Sequence, residues 1–173
     1  MANLNDAYNN VIVFNNKRHI GMDKIDERLI AILAKNARIS LKDLSQQVNL
    51  SSPSTSERLR RLEERHIIRS YTLDLDQQAF GYNLQAIVRV KPLAGMLRVA
   101  EEMIQETPEC VECDKVTGDD CFISRLYIHS MEQLDTIIDR WSEYAEIQTS
   151  IVKSSPIMRR LPPLVRLPRE SKI

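Results

Sequence analysis

Residues 40–65 read SLKDLSQQVNLSSPSTSERLRRLEER, and their spacing decides how the first half of the chain folds. Ser40 stands where a hydroxyl caps a helix, with Leu41, Leu44 and Val48 as its apolar positions. Asn49 tolerates the left-handed conformation that ends a helix in a tight turn. Ser51 then caps another helix, Pro53 fits its first turn, and Thr55, Leu59 and Leu62 carry an inward stripe to about Arg65. Upstream, Asp23 caps a helix whose apolar positions are Ile25, Leu29, Ile32 and Leu33. Three helices, the last two joined by only a few residues, predict a helix-turn-helix. Ile67, Ile68, Tyr71 and Leu73 read as a short extended segment closing that unit.

The third helix has an unusual composition for a solvated surface. Small hydroxyls crowd its start, and Arg58, Arg60, Arg61 and Arg65 follow. Arg58, Arg61 and Arg65, at offsets of three and seven, are expected to share a face opposite Thr55, Leu59 and Leu62, with Arg60 flanking. Guanidinium forks match phosphate oxygens or the O6 and N7 atoms of guanine in the major groove. Ser54 and Ser56 are small enough to let a backbone phosphate or base edge approach, and the helix N-terminus itself favours anions. The plainer reading pairs Glu57, Glu63 and Glu64 with the arginines, contacts worth only ~0.3–0.5 kcal/mol each. The helix-turn-helix context favours the polyanion, because its second helix is the one that such motifs present to DNA.

Beyond Asn83 the period changes. Leu84, Ala86, Val88 and Val90 alternate with Gln85, Ile87, Arg89 and Lys91, predicting a strand that stops at Pro92. Met96, Val99, Ala100, Met103 and Ile104 return to helical spacing. Strands are expected at about 111–116 and 121–129, a helix through Met131, Leu134, Ile137, Ile138 and Trp141, and a last strand at 146–153. That order, βαββαβ, predicts a ferredoxin-like antiparallel sheet with both helices on one face. Its other face is left uncovered and is expected to be hidden by a second copy of the chain. The chain as a whole is thus α+β: an N-terminal winged helix-turn-helix domain at 22–74, a linker at 75–82 and a ferredoxin-like domain at 83–157. Residues 1–21 read as a loosely packed extension and 158–173 as a basic, proline-rich tail.

The 24 basic and 24 acidic residues cancel to a formal net charge of zero, but their distribution is uneven. Residues 23–73 hold ten Lys/Arg against seven Asp/Glu, whereas 74–157 hold seven against fifteen. An anionic partner therefore suits the first part and not the second. No apolar run is long enough to cross a bilayer and the N-terminus lacks the layout of a secretory signal, so a cytoplasmic location is expected, with no membrane partner. The cysteines Cys110, Cys113 and Cys121 include a C-x-x-C spacing, but His129 is the only nearby histidine and a structural zinc needs four ligands. Neither a metal nor a cofactor is expected; reduced cysteine is a common small apolar filler of strands.

The run MDKIDERLIAILAKNARISLKDLSQQVNLSSPSTSERLRRLEERHIIRSYTLDLD, followed by a βαββαβ order with VTGDD between the middle strands, resembles the leucine-responsive regulatory protein/AsnC (feast/famine) transcription regulators over residues 22 to about 157. The resemblance implies a dimer built through the C-terminal domains, and commonly an octameric ring of four dimers, that binds double-stranded DNA and responds to an amino acid. Carried over by motif position, Ser51, Pro53, Ser54, Ser56, Arg58, Arg60 and Arg61 would face DNA. Val116, Thr117, Gly118, Asp119 and Asp120 would line an effector loop, with Thr149, Ser150 and Ile151 nearby. The chain departs from the family pattern in two places. Ser52 follows the L-S pair where proline is usual, and Gly118-Asp119-Asp120-Cys121-Phe122 replaces an alternation of acids and aromatics. By residue chemistry alone, Gly118 to Asp120 is equally an ordinary hairpin turn.

These features together predict a sequence-specific, homo-oligomeric regulator associated with the nucleoid. An architectural DNA-binding protein with little sequence preference and no effector would share the same helix-turn-helix. An enzyme working through Cys121 and His129 is disfavoured: eight residues along one strand separate them by about 26 Å.

Overall fold

The computed structural model describes residues 21–118, 121–157 and 160–162. The expected N-terminal extension, Asp119, Asp120 and most of the basic tail lie outside the described residues. The chain divides into two units between Thr72 and Leu73, each with its own core.

In the first unit α1 spans Lys24–Lys35, α2 Leu41–Val48 and α3 Ser52–Glu64. Each begins at the predicted cap. Asp23 accepts hydrogen bonds from the amides of Ile25 and Asp26, and Asp26 reaches back to the Asp23 amide, completing a capping box. Ser40 Oγ accepts from the Asp43 amide, and Asn49 ends α2 in the left-handed conformation at φ 55°. The apolar stripes meet around fully buried Leu29, with Leu44 and Val48 beside it and Ile25, Ile32, Leu33, Ile39, Leu50 and Leu59 packed around them. Ser45 of α2 is also buried and lies 3.3 Å, oxygen to oxygen, from Ser52 at the start of α3. Small hydroxyl residues at that crossing let the two helices approach closely. The segment expected to be extended after α3 forms no strand: the amides of Ile67 and Ile68 both turn back to the Leu62 carbonyl, and residues 69–76 take no regular structure.

The second unit opens with a 3-10 turn at Gln77–Phe80, inside the expected linker, and continues as β1 (Leu84–Pro92), α4 (Leu97–Gln105), β2 (Cys110–Lys115), β3 (Phe122–Ile128), α5 (Met131–Ser142) and β4 (Ala145–Ile151). The strands form one antiparallel sheet in the order β2-β3-β1-β4. This is the βαββαβ arrangement read from the sequence, with the last strand one residue earlier at its start and two shorter at its end. Ala86, Val88 and Val90 on β1 and Phe122, Leu126 and Ile128 on β3 pack against Ala100, Met103 and Ile104 of α4 and Leu134, Ile137 and Trp141 of α5. Trp141 is fully buried, and its indole N–H donates to Thr107 Oγ1 at 3.2 Å. The other sheet face carries Ile87, Ile123 and Tyr127 among paired charges, Lys91 with Glu146 and Arg125 with Glu112.

Candidate nucleic-acid interface and effector loop

The start of α3 is built from its hydroxyls. Ser51 Oγ accepts the Ser54 amide at 3.3 Å and lies 2.8 Å from Ser54 Oγ. Thr55 turns inward, fully buried, and donates its hydroxyl to the Ser51 carbonyl at 3.0 Å. With Thr55 and Leu62 docked, Ser51, Pro53, Ser54 and Ser56 stay exposed at the outer end of the helix. Pro53 replaces an amide that the first turn would have left unbonded.

Farther along α3, Arg60 and Arg61 point outward, their side chains 55% and 66% exposed. Both are held by Glu57, which accepts from Arg60 Nη2 at 2.8 Å and from Arg61 Nε at 2.9 Å, while Arg60 also contacts Glu64. The Arg60 and Arg61 hydrogen bonds hold the Glu57 carboxyl down at about 2, and Glu57 and Glu64 raise the affinity of Arg60 for its proton. These are short-range pairs on an open surface, so phosphate oxygens can compete for the same donors.

Arg58 is a correction to the expected arginine face. An offset of three from Thr55 and of four from Leu62 sets it on the flank of the inward stripe rather than opposite it. Its Nη1 donates to Asp23 Oδ2 at 2.7 Å and to Asp26 Oδ1 at 2.8 Å, and the side chain is 29% exposed. Arg58 thus ties α3 to the capping box of α1. Arg65, too, folds back, its guanidinium 3.3 Å from the Gly21 carbonyl. The outward cations of α3 are Arg60 and Arg61. Sequence reasoning missed the partners Asp23 and Asp26, which stand 35 and 32 positions away; their spacing signals a helix cap and nothing more.

In the second unit, the turn between β2 and β3 is closed by the Val116 amide on the Cys121 carbonyl at 2.9 Å. Val116 is half-buried, whereas Thr117 and Gly118 are exposed. Gly118 has φ +114°, a conformation that favours glycine, with open space where a Cβ would stand. Thr149, Ser150 and Ile151 lie exposed on β4, opposite Val88, Ile87 and Ala86 of β1. Thr149 and Ile151 therefore share the helix-side face and Ser150 the other. One chain does not bring the described loop residues to β4: the loop joins β2, one edge of the sheet, to β3, and β4 is the other edge, two to three strand spacings or roughly 10–14 Å across.

Residues 22–69 match the family described as winged helix-turn-helix DNA-binding, and residues 85–162 match the Lrp/AsnC ligand binding domain. The HTH-type transcriptional regulator LrpC of Bacillus subtilis (strain 168) is 32% identical over 133 residues, which are 77% of this chain and 92% of LrpC. The chain belongs to the Lrp/AsnC family. The structure of B. subtilis LrpC resembles this Lrp/AsnC chain with a TM-score of 0.75 at 30% identity, covering 80% of this chain and 99% of LrpC. The Lrp/AsnC fold also appears in the transcriptional regulator NMB0573 of Neisseria meningitidis, crystallised in complex with L-Met. It matches with a TM-score of 0.73 at 24% identity over 85% of this chain and 96% of that one. In this Lrp/AsnC chain the segment that matches a DNA-binding family precedes the one that matches a ligand-binding domain.

Proposed function

We propose that the protein is a sequence-specific transcriptional regulator that acts as a homo-oligomer in the cytoplasm, on the nucleoid, by binding rather than catalysis. The observation that carries the reading is the outward side of α3: exposed Ser51, Pro53, Ser54 and Ser56 at a helix N-terminus, followed by Arg60 and Arg61, on a helix whose other side is locked by Thr55, Leu62 and Arg58. The hydroxyls approach backbone phosphates or base edges, and the two arginines exchange Glu57 and Glu64 for DNA oxygens. Arg58 serves this interface by fixing the pitch of α3 rather than by touching DNA.

The effector is an amino acid, as the L-Met complex of the Neisseria relative supports. In this reading an α-carboxylate meets backbone amides of the Val116–Gly118 turn, and an α-ammonium meets the carboxylates of Asp119 or Asp120. A site that also uses Thr149, Ser150 and Ile151 would draw them from another copy, because within one chain β4 lies two to three strands from the loop. This supports self-association through the second unit.

Selection of binding sites from randomised duplexes by the full chain tests the first part. Enrichment of a defined sequence bound ~10³-fold or more above bulk DNA is expected. No enrichment would remove the sequence-specific reading and leave an architectural protein. Arg61→Ala should weaken binding about tenfold and lower the salt slope by about one, with the oligomer's elution volume unchanged. Thermal shift of the full chain against the twenty amino acids, L-methionine first, tests the second part, since a ligand that binds the folded state raises the melting temperature.

A further inference from the structure

Cys110 and Cys113 belong to neither proposed interface, yet an irregularity in the sheet gathers them. Along a regular strand, residues three apart point to opposite faces, so Cys110 and Cys113 would be separated by the sheet itself. In β2 the register shifts between Cys110 and Glu112, leaving Cys110 opposite Leu126 and Cys113 opposite Ser124. Leu126 and Ser124 are both buried on the helix side, and residues directly opposite share a face. The bulge therefore places both thiols on one face, two rungs apart. The Ser124 hydroxyl donates to Cys113 Sγ at 3.4 Å, and the Cys110 thiol donates to the Glu112 carbonyl at 3.4 Å. Cys110 is half-buried and Cys113 exposed, so the pair opens to solvent at the sheet edge.

Two rungs separate the Cα atoms by roughly 6.6 Å, at the outer limit of what a disulfide spans without backbone movement. A linear two-coordinate metal suits that separation better, since metal–thiolate bonds of about 2.3 Å hold two sulfurs roughly 4.6 Å apart. Among the described residues no group of three or more His, Cys, Asp or Glu side chains could hold a metal, so a four-coordinate zinc lacks ligands. We propose that Cys110 and Cys113 form a two-thiolate site for a soft monovalent cation of the copper(I) class.

The surroundings select for softness. Burial, and the neighbouring Cys113, push the Cys110 thiol up to about 11, and burial likewise raises Cys113. Binding balances as one monovalent cation taken up and two thiol protons released, which leaves the complex with one net negative charge. Lys115 lies two rungs further on the same face, opposite Phe122, and pairs with Glu101 of α4 at 2.8 Å, so both signs of charge flank that side of β2.

The full chain, reduced and kept anaerobic, would be titrated with copper(I) against bathocuproine disulfonate. Retention of one copper(I) per chain is expected, with affinity rising by up to about 100-fold per pH unit below the thiol pKa values because two protons are released. Cys113→Ser and Cys110→Ala should each lower that affinity at least 100-fold, while Cys121→Ser leaves it unchanged; circular dichroism checks that each variant is folded. Three results would overturn the site: unchanged binding in folded Cys113→Ser, binding that requires Cys121, or a Cys110–Cys113 disulfide forming with no copper retained.

Discussion

Replacing Arg58 by alanine separates a structural arginine from a DNA-contacting one. The guanidinium donates one hydrogen bond to Asp26, whose side chain is 12% exposed, and one to Asp23, whose side chain is 50% exposed. Charge-assisted hydrogen bonds are worth about 1.5–3 kcal/mol each when shielded from water, and an exposed pair contributes well under 1 kcal/mol. The Asp26 bond therefore dominates. Its loss also leaves a nearly buried carboxylate without its cation, and the expected cost is about 2 kcal/mol. For a unit of this size 1 kcal/mol moves the midpoint by roughly 4–8 °C, so the first unit of Arg58→Ala should melt about 10 °C earlier. Calorimetry on the full chain reads that shift, and fluorescence anisotropy with duplex DNA, well below the melt, reads binding by the folded protein. Arg58→Ala should bind nearly as well there as the parent, in contrast to Arg61→Ala. An unchanged melt together with a tenfold loss of affinity would refute the clasp and return Arg58 to the DNA.

Three further outcomes follow from the same contacts. The Asp26 amide and the Arg58 guanidinium hold Asp23 below its ordinary 3.8; a depressed carboxyl stabilises the fold above its unfolded pKa and loses that contribution as pH falls through the folded value. The first unit should therefore lose stability below about pH 4, less steeply in Asp23→Asn, as acid titration by circular dichroism would record. Glu57→Gln should tighten DNA binding roughly twofold, because it releases Arg60 and Arg61 from a shared counter-ion; weaker binding in anisotropy would mean that Glu57 orients them instead. Thr107→Val removes the hydroxyl that accepts from Trp141 Nε1 and Arg140 Nη2 and donates to the Met103 carbonyl. Leaving the buried indole N–H unpaired should cost about 1–3 kcal/mol in urea denaturation.

Local chemistry carried most of the architecture. Asp23, Ser40 and Ser51 marked helix starts because a cap is decided within three residues, and Asn49 marked the turn for the same reason. The alternation from Leu84 to Lys91 and the helical stripes through Met103 and Trp141 named the core of the second unit. What the sequence left hidden depends on distant or cooperative geometry. Arg58 looked like one more outward arginine because its partners lie a helix away. The bulge that unites Cys110 and Cys113 has no signature residue, and strict alternation would have put them on opposite faces. The loop and the β4 residues came as one group by resemblance; only the strand order shows that a single chain keeps them apart.

The buried threonine in α3 divides that helix into two populations with different freedoms. Thr55 and Leu62, two turns apart, answer to folding, whereas Ser54, Ser56 and Arg61 touch nothing that the fold requires beyond a local pair. Exchanges at such exposed positions usually change stability by no more than ~0.5 kcal/mol. On the proposed interface, operator preference could therefore drift through descendants of this chain without passing through unstable intermediates. Ser51 is the exception: it caps the helix and also faces outward, so an exchange there on the proposed interface must first find another cap.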